Sequence, residues 1–108
     1  MRTAIREIAE GAGFLVVGEA ENGREGVERY LTCSPDVVLM DITMPEMDGI
    51  TALERIMTLD PSARVVMCSA MGQSEYIIRS IQCGAKDFVV KPFKPERLIS
   101  AVKRAVRV

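Results

Sequence analysis

Three residues far apart in the chain have the chemistry to act together on one small anion: Asp41, Ser69 and Lys91. Each directly follows a short apolar run: Val37-Val38-Leu39-Met40, Val65-Val66-Met67-Cys68 and Phe88-Val89-Val90. A carboxylate can attack phosphorus and form an aspartyl phosphate. The transferred group carries charge on its oxygens, which an ammonium and a hydroxyl donor can stabilise. Lys91 offers the point charge and Ser69 a rotatable O–H. Singly, each residue has a plainer reading: Asp41 as a helix cap, Ser69 as a turn residue, Lys91 as a solvated side chain. The chemical reading rests on all three arriving at the ends of similar runs.

The runs themselves explain how the three could meet. They are rich in β-branched residues and do not alternate with polar ones, the pattern of parallel strands covered on both faces. A fourth run, Phe14-Leu15-Val16-Val17, precedes them. Between the runs, apolar residues recur at helical spacing. Ile5, Ile8, Ala9 and Ala12 form one stripe, ended by Gly11 and Gly13. Val27, Tyr30 and Leu31 form a second, opened by Asn22 with Glu25 three residues on, in the manner of a capping box. Ile50, Leu53, Ile56 and Met57 follow Asp48 and stop at Asp60-Pro61. Ile77, Ile78 and Ile81 run to Gly84, a natural left-handed stop. Leu98, Ile99, Val102 and Val106 follow Pro95, well placed in a first helical turn. A helix followed four times by strand and helix predicts an α/β layered domain with right-handed crossovers. In such folds functional groups collect at the carboxyl edge of the sheet. Strands ~4.8 Å apart would let the three groups reach one ligand there.

Composition narrows the field further. The 108 residues, 48% of them apolar, suit one domain spanning 1–108 with a single core. Fourteen basic residues against fifteen acidic leave a net charge of −1, so bulk attraction to nucleic acid or an anionic membrane is not expected. The apolar runs fall far short of a membrane span, and the first residues lack the apolar stretch of a signal peptide. Histidine is absent, which removes histidine triads, histidine metal ligands and phosphohistidine on this chain. Cys33, Cys68 and Cys83 are odd in number and poorly spaced for zinc or disulfides, so reduced thiols and a cytoplasmic setting are expected.

Asp41-Ile42-Thr43-Met44-Pro45-Glu46-Met47-Asp48-Gly49, Cys68-Ser69-Ala70 and Gly84-Ala85-Lys86-Asp87-Phe88-Val89-Val90-Lys91-Pro92-Phe93 come in that order. Together they resemble the phosphoacceptor loop, switch hydroxyl and fifth strand of response-regulator receiver domains, most nearly the chemotaxis CheY-like type. The likeness runs the whole length of the chain. It implies a CheY-like (flavodoxin-like) parallel sheet, strand order 2-1-3-4-5, flanked by helices on both faces. It implies that Asp41 is the phosphoacceptor and that Lys91 and Ser69 bind the phosphoryl oxygens. Asp41 and the Thr43 backbone carbonyl would help hold Mg²⁺, and Phe88 would change rotamer with the state of Ser69. The Lys91–Pro92 peptide would be cis, which proline allows at ~0.5–1 kcal/mol. The implied role is signalling, not catalysis of a metabolic reaction. The phosphoryl donor would be the phosphohistidine of a sensor histidine kinase such as CheA. The output would be a partner such as the flagellar switch, docked on residues 73–84 and 88–108, with no effector domain following.

The chain departs from that pattern at its start. Receiver domains open with a strand ending in an acidic pair that supplies Mg²⁺ ligands, whereas Met1 falls where the first helix should be. The sheet is therefore expected to have four strands instead of five, truncated at the amino end. No adjacent acidic pair occurs elsewhere. Mg²⁺ binding is expected to be weak and phosphorylation slow or absent, because Asp41 beside Lys91 offers a cation little net negative charge. An exposed strand edge further predicts a homo-oligomer, possibly domain-swapped.

The rival reading is a receiver remnant that binds partners or itself without taking phosphate. Residues 86–108 carry seven basic residues against two acidic, a net of +5, leaving −6 in the other 85. Such polarity suits docking to a charged protein face, although a solvated basic helix explains it as well. A dinucleotide-binding loop is excluded because Gly11-Ala12-Gly13 follows a helix and precedes a strand. A phosphatase of the haloacid dehalogenase type would want an Asp where Thr43 stands.

Overall fold

A computed structural model of the chain describes residues 2–14, 18, 22–42, 49–69, 74–91 and 94–107. The elements alternate as the sequence implies: α1 (Arg2–Gly11), α2 (Gly23–Cys33), β1 (Val38–Asp41), α3 (Gly49–Leu59), β2 (Val65–Ser69), α4 (Ser74–Gln82), β3 (Asp87–Val90) and α5 (Pro95–Arg107). The expected strand around Phe14 falls mostly on residues 15–17, which lie outside the described residues. Pro92 and its peptide bond with Lys91 do as well.

Local signals set the helix ends. The Asn22 side chain accepts the Glu25 N–H at 2.9 Å and caps α2, whose far end turns on Ser34 at φ 47°. Pro95 opens α5, where a missing N–H costs nothing. Gly84 leaves α4 at φ +111°, a conformation that favours glycine, and a Cβ there would meet Met57 Cε at 2.9 Å.

The three described strands are parallel in the order β1-β2-β3. Val38 faces Val65 and Asp41 faces Cys68, while Val66 faces Asp87 and Ser69 faces Val90. β2, the middle strand, is wholly buried, and its side chains alternate between two cores. On one face Val65 and Met67 pack with Met40, Ile50, Leu53 and Ile56, joined by Phe88 and Ile77. On the other, Val66 packs with Val89, Leu98, Ala101 and Ala105, joined by Ile8. The two cores thus place α3 and α4 on one side and α1 and α5 on the other.

Four residues expected to face the core do not. Leu31, Ile78, Ile81 and Val106 are exposed. In α4 Ser80 takes the buried place, donating its Oγ–H to the Tyr76 carbonyl at 2.8 Å. A hydroxyl satisfied on its own helix can enter an apolar interface at small cost.

Candidate functional site

The carboxyl edge of the sheet brings together what the strand ends carry. Asp41 is the last residue of β1 and Ser69 the last of β2; Lys91 follows β3. The ladder extends to this edge, with Ile42 N–H bonded to Cys68 O at 2.9 Å and Lys91 N–H to Ser69 O at 2.8 Å. β2 lies between β1 and β3, so the ammonium of Lys91 must reach across a strand to meet Asp41. It does so: Lys91 Nζ donates to Asp41 Oδ2 at 2.7 Å. Both side chains are mostly buried, at 29% and 23% exposure, so the pair is screened less than a surface ion pair.

Ser69 ends the strand that lies between theirs. It is fully buried, and its Oγ has no hydrogen-bond partner. A buried hydroxyl left unsatisfied costs about 1–3 kcal/mol, which marks the position as one that awaits an acceptor. Side chains alternate along a strand, so Ser69 shares the face of Met67, two residues earlier. Met67 faces Phe88 across the β2–β3 pair, and Phe88 packs half-buried in the same core. The ring and the hydroxyl are therefore diagonal neighbours on one sheet face. Thr43 lies outside the described residues.

Two further residues shape this edge. Gly49 starts α3 directly behind Asp41, its N–H bonded to Ile42 O at 2.8 Å. A Cβ on Gly49 would lie 1.9 Å from the Asp41 carbonyl oxygen, so only glycine fits. The Asp48-Gly49 dipeptide was the signal available in the sequence, and it pointed to a turn rather than to close contact with the site. Cys68, opposite Asp41 in register, is buried, and its thiol is pushed up to about 11. Burial is the main cause, the Asp41 carboxylate adds to it and Lys91 opposes. The thiol stays protonated at neutral pH. None of the three cysteines forms a disulfide.

A carboxylate alone is a sparse site for Mg²⁺, which takes one or two carboxylates besides waters and phosphate oxygens. Among the described residues no three Cys, Asp or Glu side chains gather as ligands, and Asp41 is already paired with Lys91. Among the described residues Asp41 can contribute one ligand to the ion.

Known proteins match this chain closely in sequence and fold. The response regulator receiver domain family matches residues 1–103. The chemotaxis protein CheY of Thermotoga maritima is 53% identical over 96% of this chain and 87% of its own length. That of Bacillus subtilis is 56% identical over 98% and 88%. Among solved structures, the receiver domain of NtrX from Brucella abortus superposes with a TM-score of 0.94 at 30% identity, covering 99% of this chain and 90% of that one. A chain of the CheX–CheY–BeF3–Mg complex from Borrelia burgdorferi gives 0.91 at 38% identity, covering 99% and 81%. With a family match over residues 1–103 and relatives 53% and 56% identical over nearly the whole chain, the chain belongs to the response regulator receiver domain family, as a CheY-like member of two-component signalling.

Proposed function

We propose that Asp41 accepts a phosphoryl group, with Lys91 and Ser69 binding its oxygens. The observation that carries this is the 2.7 Å contact of Lys91 Nζ with Asp41, beside a buried and unpartnered Ser69 Oγ. In the transfer, an oxygen of the Asp41 carboxylate forms a bond to phosphorus as the bond from phosphorus to the donor breaks. With a kinase phosphohistidine the leaving group is the imidazole nitrogen, which takes up a proton; with acetyl phosphate it is acetate. Lys91 then has a doubly charged group to neutralise in place of a single carboxylate. The Ser69 O–H gains the acceptor it lacks, and turning toward it frees space on the sheet face that Phe88 shares. That is the basis for assigning Phe88 as the reporting side chain.

Mg²⁺ would screen charge between Asp41 and the incoming group, with Asp41 and the Thr43 carbonyl among its ligands. The pairing of Asp41 with Lys91 leaves a cation little net negative charge, so weak Mg²⁺ affinity and slow phosphorylation are proposed. The similar Borrelia burgdorferi structure is of a CheX–CheY complex with BeF3 and Mg, which supports this reading.

A sensor histidine kinase of the CheA type is the proposed donor, and a signalling protein such as the flagellar switch the proposed target, with a cytoplasmic setting. No described helix is long and apolar enough to cross a membrane. Exposed Tyr76, Ile78 and Ile81 on α4 support a partner-facing role for that helix, and they are the surface on which self-association would occur. Acetyl phosphate labelling with and without Asp41→Asn tests the assignment: the label is expected in the parent and absent in the variant. Label retained by the variant would overturn it.

A further inference from the structure

The Phe88 ring and α5 lie on opposite faces of the sheet. The ring packs against the core with Met67 and Ile56, whereas Leu98, Ala101 and Ala105 of α5 pack against Val66 and Val89. A change at the ring therefore needs a connection through the strand to reach α5. Lys91 N–H points into the sheet, toward Ser69 O. Peptide groups alternate along a strand, so those of Phe88 point outward, away from β2. Left bare, they would be an open edge.

Both are taken by side chains. Asp87 Oδ1 accepts the Phe88 N–H at 2.8 Å. Arg97 Nη2 donates to the Phe88 carbonyl at 2.7 Å and lies 3.3 Å from Asp87 Oδ1, while its Nη1 lies 3.5 Å from Asp87 Oδ2. Arg104, two turns along α5, adds a second ion pair to Asp87 at 3.3 Å. The guanidinium fork suits this double duty, since its planar, fixed set of N–H donors can hold a carboxylate and a carbonyl at once.

We propose that Arg97 is a positioning residue that clamps the Phe88 backbone to α5 and passes changes at the Phe88 ring across the sheet to that helix. The proposal rests on the reading of Ser69 and Phe88 as a coupled pair. With the backbone held at its N–H and its carbonyl, the ring is the part free to turn. A shift of the ring against the α3–α4 core then pulls on the Phe88 carbonyl, and Arg97 carries that pull into the first turn of α5.

The test imposes the change at Ser69 directly, so it needs neither phosphate nor metal. Protein labelled with 4-fluorophenylalanine is compared with and without Ser69→Ala, in the parent and in an Arg97→Met background. The Phe88 fluorine signal is assigned by Phe88→Leu, and amide shifts of Leu98, Ala101 and Ala105 report on α5. Ser69→Ala is expected to move the Phe88 signal in both backgrounds. The α5 response is expected to fall below half in Arg97→Met and to stay above half in Arg97→Lys, which keeps one donor for the carbonyl. Asp87→Asn keeps an acceptor for the Phe88 N–H but drops the charge that anchors Arg97. It is expected to reduce the α5 response as methionine does, and it carries the test if the methionine variant does not fold. A purely structural role would lower thermal stability and leave the ratio of the two responses unchanged. An α5 response independent of residue 97, or a Phe88 signal indifferent to Ser69→Ala in every background, overturns the proposal. Acetyl phosphate labelling of Asp41, run on the same samples, judges the phosphoacceptor assignment separately.

Discussion

Gly49 constrains the edge that carries Asp41 and Lys91 as tightly as those charged groups do. An added methyl group would have to displace backbone, because the atom it meets is the carbonyl oxygen of Asp41 itself. Gly49→Ala is expected to cost about 1–3 kcal/mol in urea unfolding, the range for overpacking a closed site, and to slow phosphoryl uptake. Ser69 behaves in the opposite sense. Its hydroxyl is buried without a partner, so Ser69→Ala is expected to raise stability by about 1 kcal/mol while weakening phosphoryl binding. A gain in unfolding midpoint together with slower labelling would show a group kept for function at the expense of stability. A loss of stability would instead mean that the hydroxyl is already satisfied in the resting protein.

Between elements, the junction of α2 with α3 carries a titratable link. Tyr30 Oη donates to Asp60 Oδ2 at 2.5 Å, and Asp60 also accepts the Ser62 N–H and Oγ–H. Burial, then the bond to Asp60, raises the phenol from 10.0 to about 12. The folded state therefore keeps a proton that the unfolded chain has lost in that interval. The contribution of the bond is complete below pH 10 and falls as pH climbs from 10 toward 12. Asp60 is shifted down, chiefly by Ser62 and then Tyr30, so its own contribution is complete above the ordinary carboxylate range and is lost on acidification. Tyr30→Phe is expected to cost about 1 kcal/mol at pH 7. The difference from the parent should shrink above pH 10, and a difference constant to pH 12 would contradict the bond. This link was not legible in the sequence, since nothing about Tyr30 in a helical stripe says that a residue thirty positions away will meet it. The same holds for α4, where three isoleucines outweighed Ser80 in the periodicity. The hydroxyl's internal partner, which decides the face, appears only once the helix is built.

Across the molecule, what could be read in advance was what depends on local pattern. The strands at Val38, Val65 and Asp87 came from continuous apolar runs, and their ends delivered Asp41, Ser69 and Lys91 to one edge. The Asp41–Lys91 contact followed from chemistry plus parallel topology. The Asp87–Arg97–Arg104 cluster did not, because its meaning depends on β3 having its outer peptide groups turned to α5. It also revises the reading of the basic carboxyl-terminal segment. Two of its seven cations are engaged with Asp87, so the segment is not simply a solvated basic face. The most direct test of the whole account is intact-mass analysis after incubation with acetyl phosphate over a Mg²⁺ titration, on the parent and on Asp41→Asn. The parent should gain a single phosphoryl group, slowly and only at high Mg²⁺, in a form released by hydroxylamine as an acyl phosphate is, and Asp41→Asn should gain none. A folded parent that stays unmodified at every Mg²⁺ concentration, or a variant modified as readily as the parent, would contradict it.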